Sequence, residues 1–88
     1  MLNKSINNFN FNIGRINERY VNIRTEPTNR SELFCVLYRN TNVNITSIGN
    51  DLFRVAQMLD FWLEIEIGNN KYWIYGYYVE FLNEIYLM

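Results

Sequence analysis

The chain has 88 residues, 49% of them hydrophobic and 19% charged, with a formal net charge of −1. That leaves room for one small core rather than two, and gives no electrostatic footprint for nucleic acid or an anionic membrane. Histidine is absent and Cys35 is the single cysteine, which removes the commonest general acid–base group and any intrachain disulfide.

In chain order, the opening "MLNKSINNFNFNIG" holds no continuous apolar run and does not read as a signal peptide. Residues 1–12 are expected to form either an extra strand or a frayed arm. No later stretch approaches the roughly 20 apolar residues of a membrane span, so no membrane span is expected and localisation stays open. Phe9, Phe11 and Ile13 alternate with Asn; Val21 and Ile23 alternate with Asn22 and Arg24; Val43 and Ile45 alternate with Asn42, Asn44 and Thr46. Leu63, Ile65 and Ile67 alternate with Glu64 and Glu66. Period 2 is the mark of half-buried strands. "LFCVLY" is a continuous apolar run, expected as a strand covered on both faces or one turning a corner.

Turn signals separate these runs: "TEPTNRS" around Pro27, "YRNTN" around Asn40, "SIGND" around Gly49 and "GNN" at 68–70. The last joins "LEIEI" to "KYWIY" and reads as a tight hairpin, because Gly and Asn tolerate positive φ. "DLFRVAQMLD", residues 51–60, is ambiguous. Asp51 could cap a short helix, but an irregular excursion with a short strand through Phe53 and Val55 is the preferred reading. Short strands with regularly spaced turns argue a small antiparallel barrel or sandwich.

The segment "YVNIRTEP", followed by "TNRSELFCVLYRNTNVNI", "WLEIEI" and "KYWIYGYYVEF" in that order, resembles the bacterial Src-homology-3-like (SH3-like) domain family. The likeness covers residues 20–81, with Asn40 where that family usually has Gly. It implies an all-β fold: a small five-stranded antiparallel barrel with a short single-turn helix before the last strand, the whole of 1–88 being one domain. It also implies a groove between the loop after the first strand and the excursion before Trp62. Trp62 and Tyr78 match the family's groove positions; Tyr75 stands where eukaryotic relatives place a groove Pro, and Tyr77 at a neighbouring polar place.

The residues themselves agree in part. Gly76 breaks the alternation of "KYWIYGYYV", so Tyr75, Tyr77 and Tyr78 are expected to fan outward. Tyr and Trp suit a groove because each offers large rigid area with a polar tip. Packing is the competing reading for Trp62 and Tyr78, and the favoured one for Trp73, a ring covering the barrel's flank. Ile65, Ile74, Val79, Val21, Ile23, Leu37 and Val43 are expected in the core. Arg24 and Glu26 flank the Pro27 turn; Arg24 either braces the turn through backbone carbonyls, the preferred reading, or reads a ligand carboxylate through its forked donors. Cys35 is expected to be buried and inert. Glu64 and Glu66 read as a solvated face. There is no phosphate-cradling loop, metal-ligand spacing or nucleophile–base pair, so neither an enzyme nor a cofactor is expected.

The expected function is a non-catalytic binding module whose groove comprises Trp62, Tyr75, Tyr77, Tyr78, Arg24 and Glu26. The resemblance implies bacterial cell-wall (peptidoglycan) peptides, or an extended protein segment, as ligand. The alternatives are an assembly domain, as homo-oligomer or fixed subunit, and a small effector or inhibitor of a cytoplasmic complex.

Overall fold

Alternation becomes strand pairing in the computed structural model, which describes residues 12–82. Nine strands follow in chain order: β1 (Asn12–Ile16), β2 (Tyr20–Arg24), β3 (Leu33–Tyr38), β4 (Asn42–Ile48), β5 (Phe53–Val55), β6 (Met58–Asp60), β7 (Trp62–Ile67), β8 (Asn70–Tyr75) and β9 (Val79–Phe81). A 3-10 turn, Gly76–Tyr78, separates β8 from β9. Seven strands form one antiparallel sheet in the order β3-β2-β8-β7-β4-β1-β9, while β5 and β6 pair as a separate hairpin. The fold is all-β, with seven strands in the main sheet where five were expected.

The core sits where the inward residues of the alternating strands converge. Ile16, Ile23, Leu63, Ile65 and Ile74 are fully buried, with Val21, Val43, Ile45 and Val79 close around them. Burying each such side chain stabilises the fold by roughly 1.5–3 kcal/mol. Six of the seven expected core residues are buried; Leu37 is half-buried and packs against the cluster from outside. Ile16, Ile45 and Leu63 complete it.

"LFCVLY" departs from one of its two expectations. β3 is the end strand of the sheet, and Leu33, Phe34 and Tyr38 are exposed, so it is not covered on both faces. It does turn a corner. Ile23 lies opposite Cys35 but Arg24 lies opposite Leu33, leaving Phe34 as the extra residue of a bulge. A bulge re-aims the side chain it inserts, and Phe34 stacks on Tyr72 with centroids 3.9 Å apart.

Residues 51–60 hold the expected short strand through Phe53 and Val55, but it pairs with a second, Met58–Asp60, across Ala56–Gln57 instead of standing in an irregular excursion. Ala56 has φ +57°, a conformation costing an L-residue about 1–2 kcal/mol. Because Ala is no turn signal, this turn is invisible to pattern reading. Gly68, at φ +64°, makes the β7–β8 turn as expected, and Asn40 (φ 72°) occupies the left-handed region between β3 and β4. Of the N-terminal expectations, 1–11 lie outside the described residues; Asn12 opens β1, which lies between β4 and β9.

Candidate functional site

The first turn, the strand heads and the 3-10 turn meet on one side of the sheet. Asn17 N donates to the Tyr78 carbonyl (2.9 Å), and Gly76 N donates to the Phe61 carbonyl (2.8 Å). These two bonds set the 3-10 turn against the start of β7 and the β1–β2 turn. Between them opens a groove of about 580 Å³. Its aromatic wall is Trp62, Tyr75 and Tyr78; its rim brings Glu18 and Arg19 from the β1–β2 turn, Arg24 from β2, Arg39 from the β3–β4 turn and Val55 from the hairpin.

Of the residues expected here, Trp62, Tyr75, Tyr78 and Arg24 line the groove, while Tyr77 and Glu26 are not among its lining residues. Tyr75 does not fan outward. It is 3% exposed, because Trp62 lies across from it in the β7–β8 register and packs on it with ring centroids 5.3 Å apart. Its hydroxyl donates to the Phe53 carbonyl and ties the β5–β6 hairpin to the sheet. Tyr77 points to solvent at 52% exposure, and half-buried Tyr78 meets both neighbouring rings edge-on. Trp62 is both core and wall: 4% exposed, edge-on to Phe53 at 5.8 Å. Trp73 is half-buried on β8 opposite Glu64 and Arg24.

Among the described residues, Trp62 Nε1 is the buried side-chain polar atom without an acceptor. A buried donor left unpaired costs about 1–3 kcal/mol. It belongs to a ring on the groove wall.

The rim is basic in a chain whose net charge is −1: Arg19, Arg24 and Arg39 against Glu18. Arg24 Nη1 donates to the Ser31 carbonyl at 2.8 Å, bracing the Pro27 turn as preferred on sequence grounds. Ser31 Oγ closes the same loop, donating toward the Glu26 carbonyl (3.0 Å) and the Thr28 carbonyl (2.9 Å). Glu26 thus contributes backbone to the loop, and its residue is exposed. Arg39 lies 3.7 Å from Glu18, and Arg19 forms no ion pair among the described residues.

Away from the groove, Glu64 is not simply solvated. It is half-buried and accepts from Thr46 Oγ1 (2.9 Å) and Ser47 Oγ (3.2 Å), while Glu66 is exposed. Cys35 is half-buried, and burial pushes its thiol above the ordinary value. That keeps it protonated and poorly nucleophilic.

Burial also pushes the Tyr75 hydroxyl up, as it does that of Tyr78, where the Glu18 charge adds to the effect. The unfolded chain therefore releases these protons first as pH rises. The stability they contribute is fully present below the ordinary tyrosine value near 10 and is lost as pH rises through the folded values. Melting temperature should be level between neutral pH and about 9 and fall steeply above 10, more shallowly in Tyr75→Phe. A wild-type decline that begins at neutral pH would contradict this.

No family model matches the chain, and no curated protein or solved structure does.

Proposed function

We propose that this chain is a non-catalytic, SH3-like binding module that takes an extended peptide bearing a carboxylate into the groove of Trp62, Tyr75 and Tyr78. The observation that carries this reading is the unpaired Nε1–H of Trp62: it is buried, but its ring forms part of the groove wall, so a small turn of that ring as a ligand enters would present the donor. A backbone carbonyl of an extended ligand is the acceptor chemistry it lacks, and an extended chain presents such carbonyls at regular intervals. The aromatic wall supplies rigid contact area. Arg19, which forms no ion pair among the described residues, and Arg24, held in place by Ser31, supply the attraction for a carboxylate. Bacterial wall peptides, the source implied by the resemblance, are extended and carboxylated, and are the first candidates.

The test is titration with soluble wall peptides and, in parallel, with a panel of acidic extended peptides, comparing wild type with Trp62→Phe. Phenylalanine retains most of the ring and removes the donor. Affinity should fall about tenfold, the value of one hydrogen bond, and should weaken with added salt. If only the acidic panel binds, the wall is the wrong source and the groove reading stands. If neither set binds, or if Trp62→Phe binds as well as wild type, the reading is wrong.

A further inference from the structure

We propose that the chain pairs with a second copy of itself, edge to edge along β3, in an antiparallel arrangement with a two-fold axis at Val36. Among the described residues, the main sheet runs to β9 on one side and to β3 on the other. β9 has three residues and carries Glu80, paired with Arg15 at 3.6 Å. Short, charged edges resist further pairing. β3 is different: six residues with no charge and no Pro, and Leu33, Phe34 and Tyr38 exposed at 48%, 45% and 63%.

The direction of its backbone groups follows from two hydrogen bonds. Arg39 N donates to the Arg19 carbonyl, and Thr25 N donates to the Glu32 carbonyl, so residues 39 and 32 face β2. Backbone groups of successive strand residues point alternately to the two sides. Counting down from Arg39, Leu37 and Cys35 face β2 while Tyr38 and Val36 face outward. Counting up from Glu32, Leu33 faces outward. The bulge at Phe34 absorbs the odd residue between the two counts.

The outward-facing groups are therefore those of Leu33, Val36 and Tyr38, one ladder step apart on each side of Val36. That set is its own complement. A copy turned about an axis through Val36 sets Val36 against Val36, Leu33 against Tyr38 and Tyr38 against Leu33. The next position outward places Glu32 across from Arg39 of the second copy, twice. An uncharged strand with opposite charges at its two ends selects an antiparallel copy of itself, since a two-fold interface brings each patch against its own complement. Arg39 is free to turn, its side chain being 57% exposed in its contact with Glu18.

The experiment measures mass against concentration for the full chain by light scattering, with circular dichroism confirming that each variant is folded. Wild type should pass from 10.7 kDa to twice that mass as concentration rises. Glu32→Arg and Arg39→Glu each put like charges opposite each other twice, and each alone should dissociate about tenfold more readily. An equimolar mixture of the two restores both attractive pairs, and should recover dimer to within about threefold of wild type. Val36→Lys, with like charges on the axis, should remain at the single-chain mass. A wild type at the single-chain mass throughout would overturn the proposal. So would a dimer that Val36→Lys leaves intact, or variants that fail to rescue each other on mixing.

Discussion

Gly76→Ala is expected to lower the stability of the chain by about 2–4 kcal/mol, through a clash and the hydrogen bond it disrupts. A methyl group there would lie 2.6 Å from the Phe61 carbonyl oxygen, 3.1 Å from Asp60 Oδ1 and 3.4 Å from Leu63 Cγ. The first is a backbone atom, and it accepts from Gly76 N itself. The second is held in turn, since Asp60 Oδ1 accepts from Phe61 N at 2.7 Å. Neither can retreat without moving the chain between β6 and β7. A domain of this length has roughly 4–13 kcal/mol in all, so the loss is a large share of it. Because Gly76 opens the 3-10 turn, the variant should also misplace Tyr78 and loosen the groove. The measurement is the urea midpoint of the variant against wild type. An unchanged midpoint would mean that the close approach of Gly76 to Phe61 is not a constraint on the fold.

Trp62→Ala should destabilise by nearly as much, for a different reason. Truncating a buried Trp costs about 3–5 kcal/mol, and here it removes the contacts to Phe53 and Tyr75 that hold the hairpin over the sheet. Part is returned, because the unpaired Nε1–H disappears with the ring. The net loss should lie near 2–4 kcal/mol. Trp62→Phe keeps a six-membered ring at the site and relieves the same donor while leaving a smaller cavity than alanine, so it should cost about 1–2 kcal/mol, less than Trp62→Ala. The two variants separate packing from the proposed recognition: alanine reports on the fold, phenylalanine on the contact proposed for Nε1. Equal urea midpoints for Trp62→Ala and wild type would show that the ring does not support the hairpin.

Strict alternation is followed in β2, β4 and β7 but not in β1, where Ile13 is exposed and Gly14 and Ile16 face inward instead. Val21 and Ile23, Val43 and Ile45, and Leu63 and Ile65 all turn inward, because period 2 and one buried face leave a single register. The "GNN" turn was legible for the same kind of reason, Gly68 being able to take positive φ. Of the β5–β6 hairpin only its first strand was legible; its turn was not, since Ala56 takes positive φ without being a turn residue. β3 misled through its continuous apolar run, which composition alone cannot distinguish from a doubly covered strand; its bulge shows only in the register with β2. Among the candidate site residues, Trp62, Tyr78 and Arg24 could be proposed from motif positions. Tyr75 lines the groove too, but as a buried prop rather than an outward ring. Arg19 and Arg39 escaped notice because they sit in separate turns, and only the packing of those turns brings them to one rim.

β1 has a consequence for how the molecule acquires its shape. It lies between β4 and β9, and its Gly14 stands opposite Val43 on one side and Phe81 on the other. The strand that comes first in the described chain is thus completed by the strand that comes last. Closing so long a loop is slow, because most of the chain must be brought together before that pairing yields anything. During synthesis, β1 can find β4 early, but its other edge stays open until residues 79–81 have emerged. Until then the nascent sheet carries an unpaired edge at each side, which makes this interval its most vulnerable to wrong pairing.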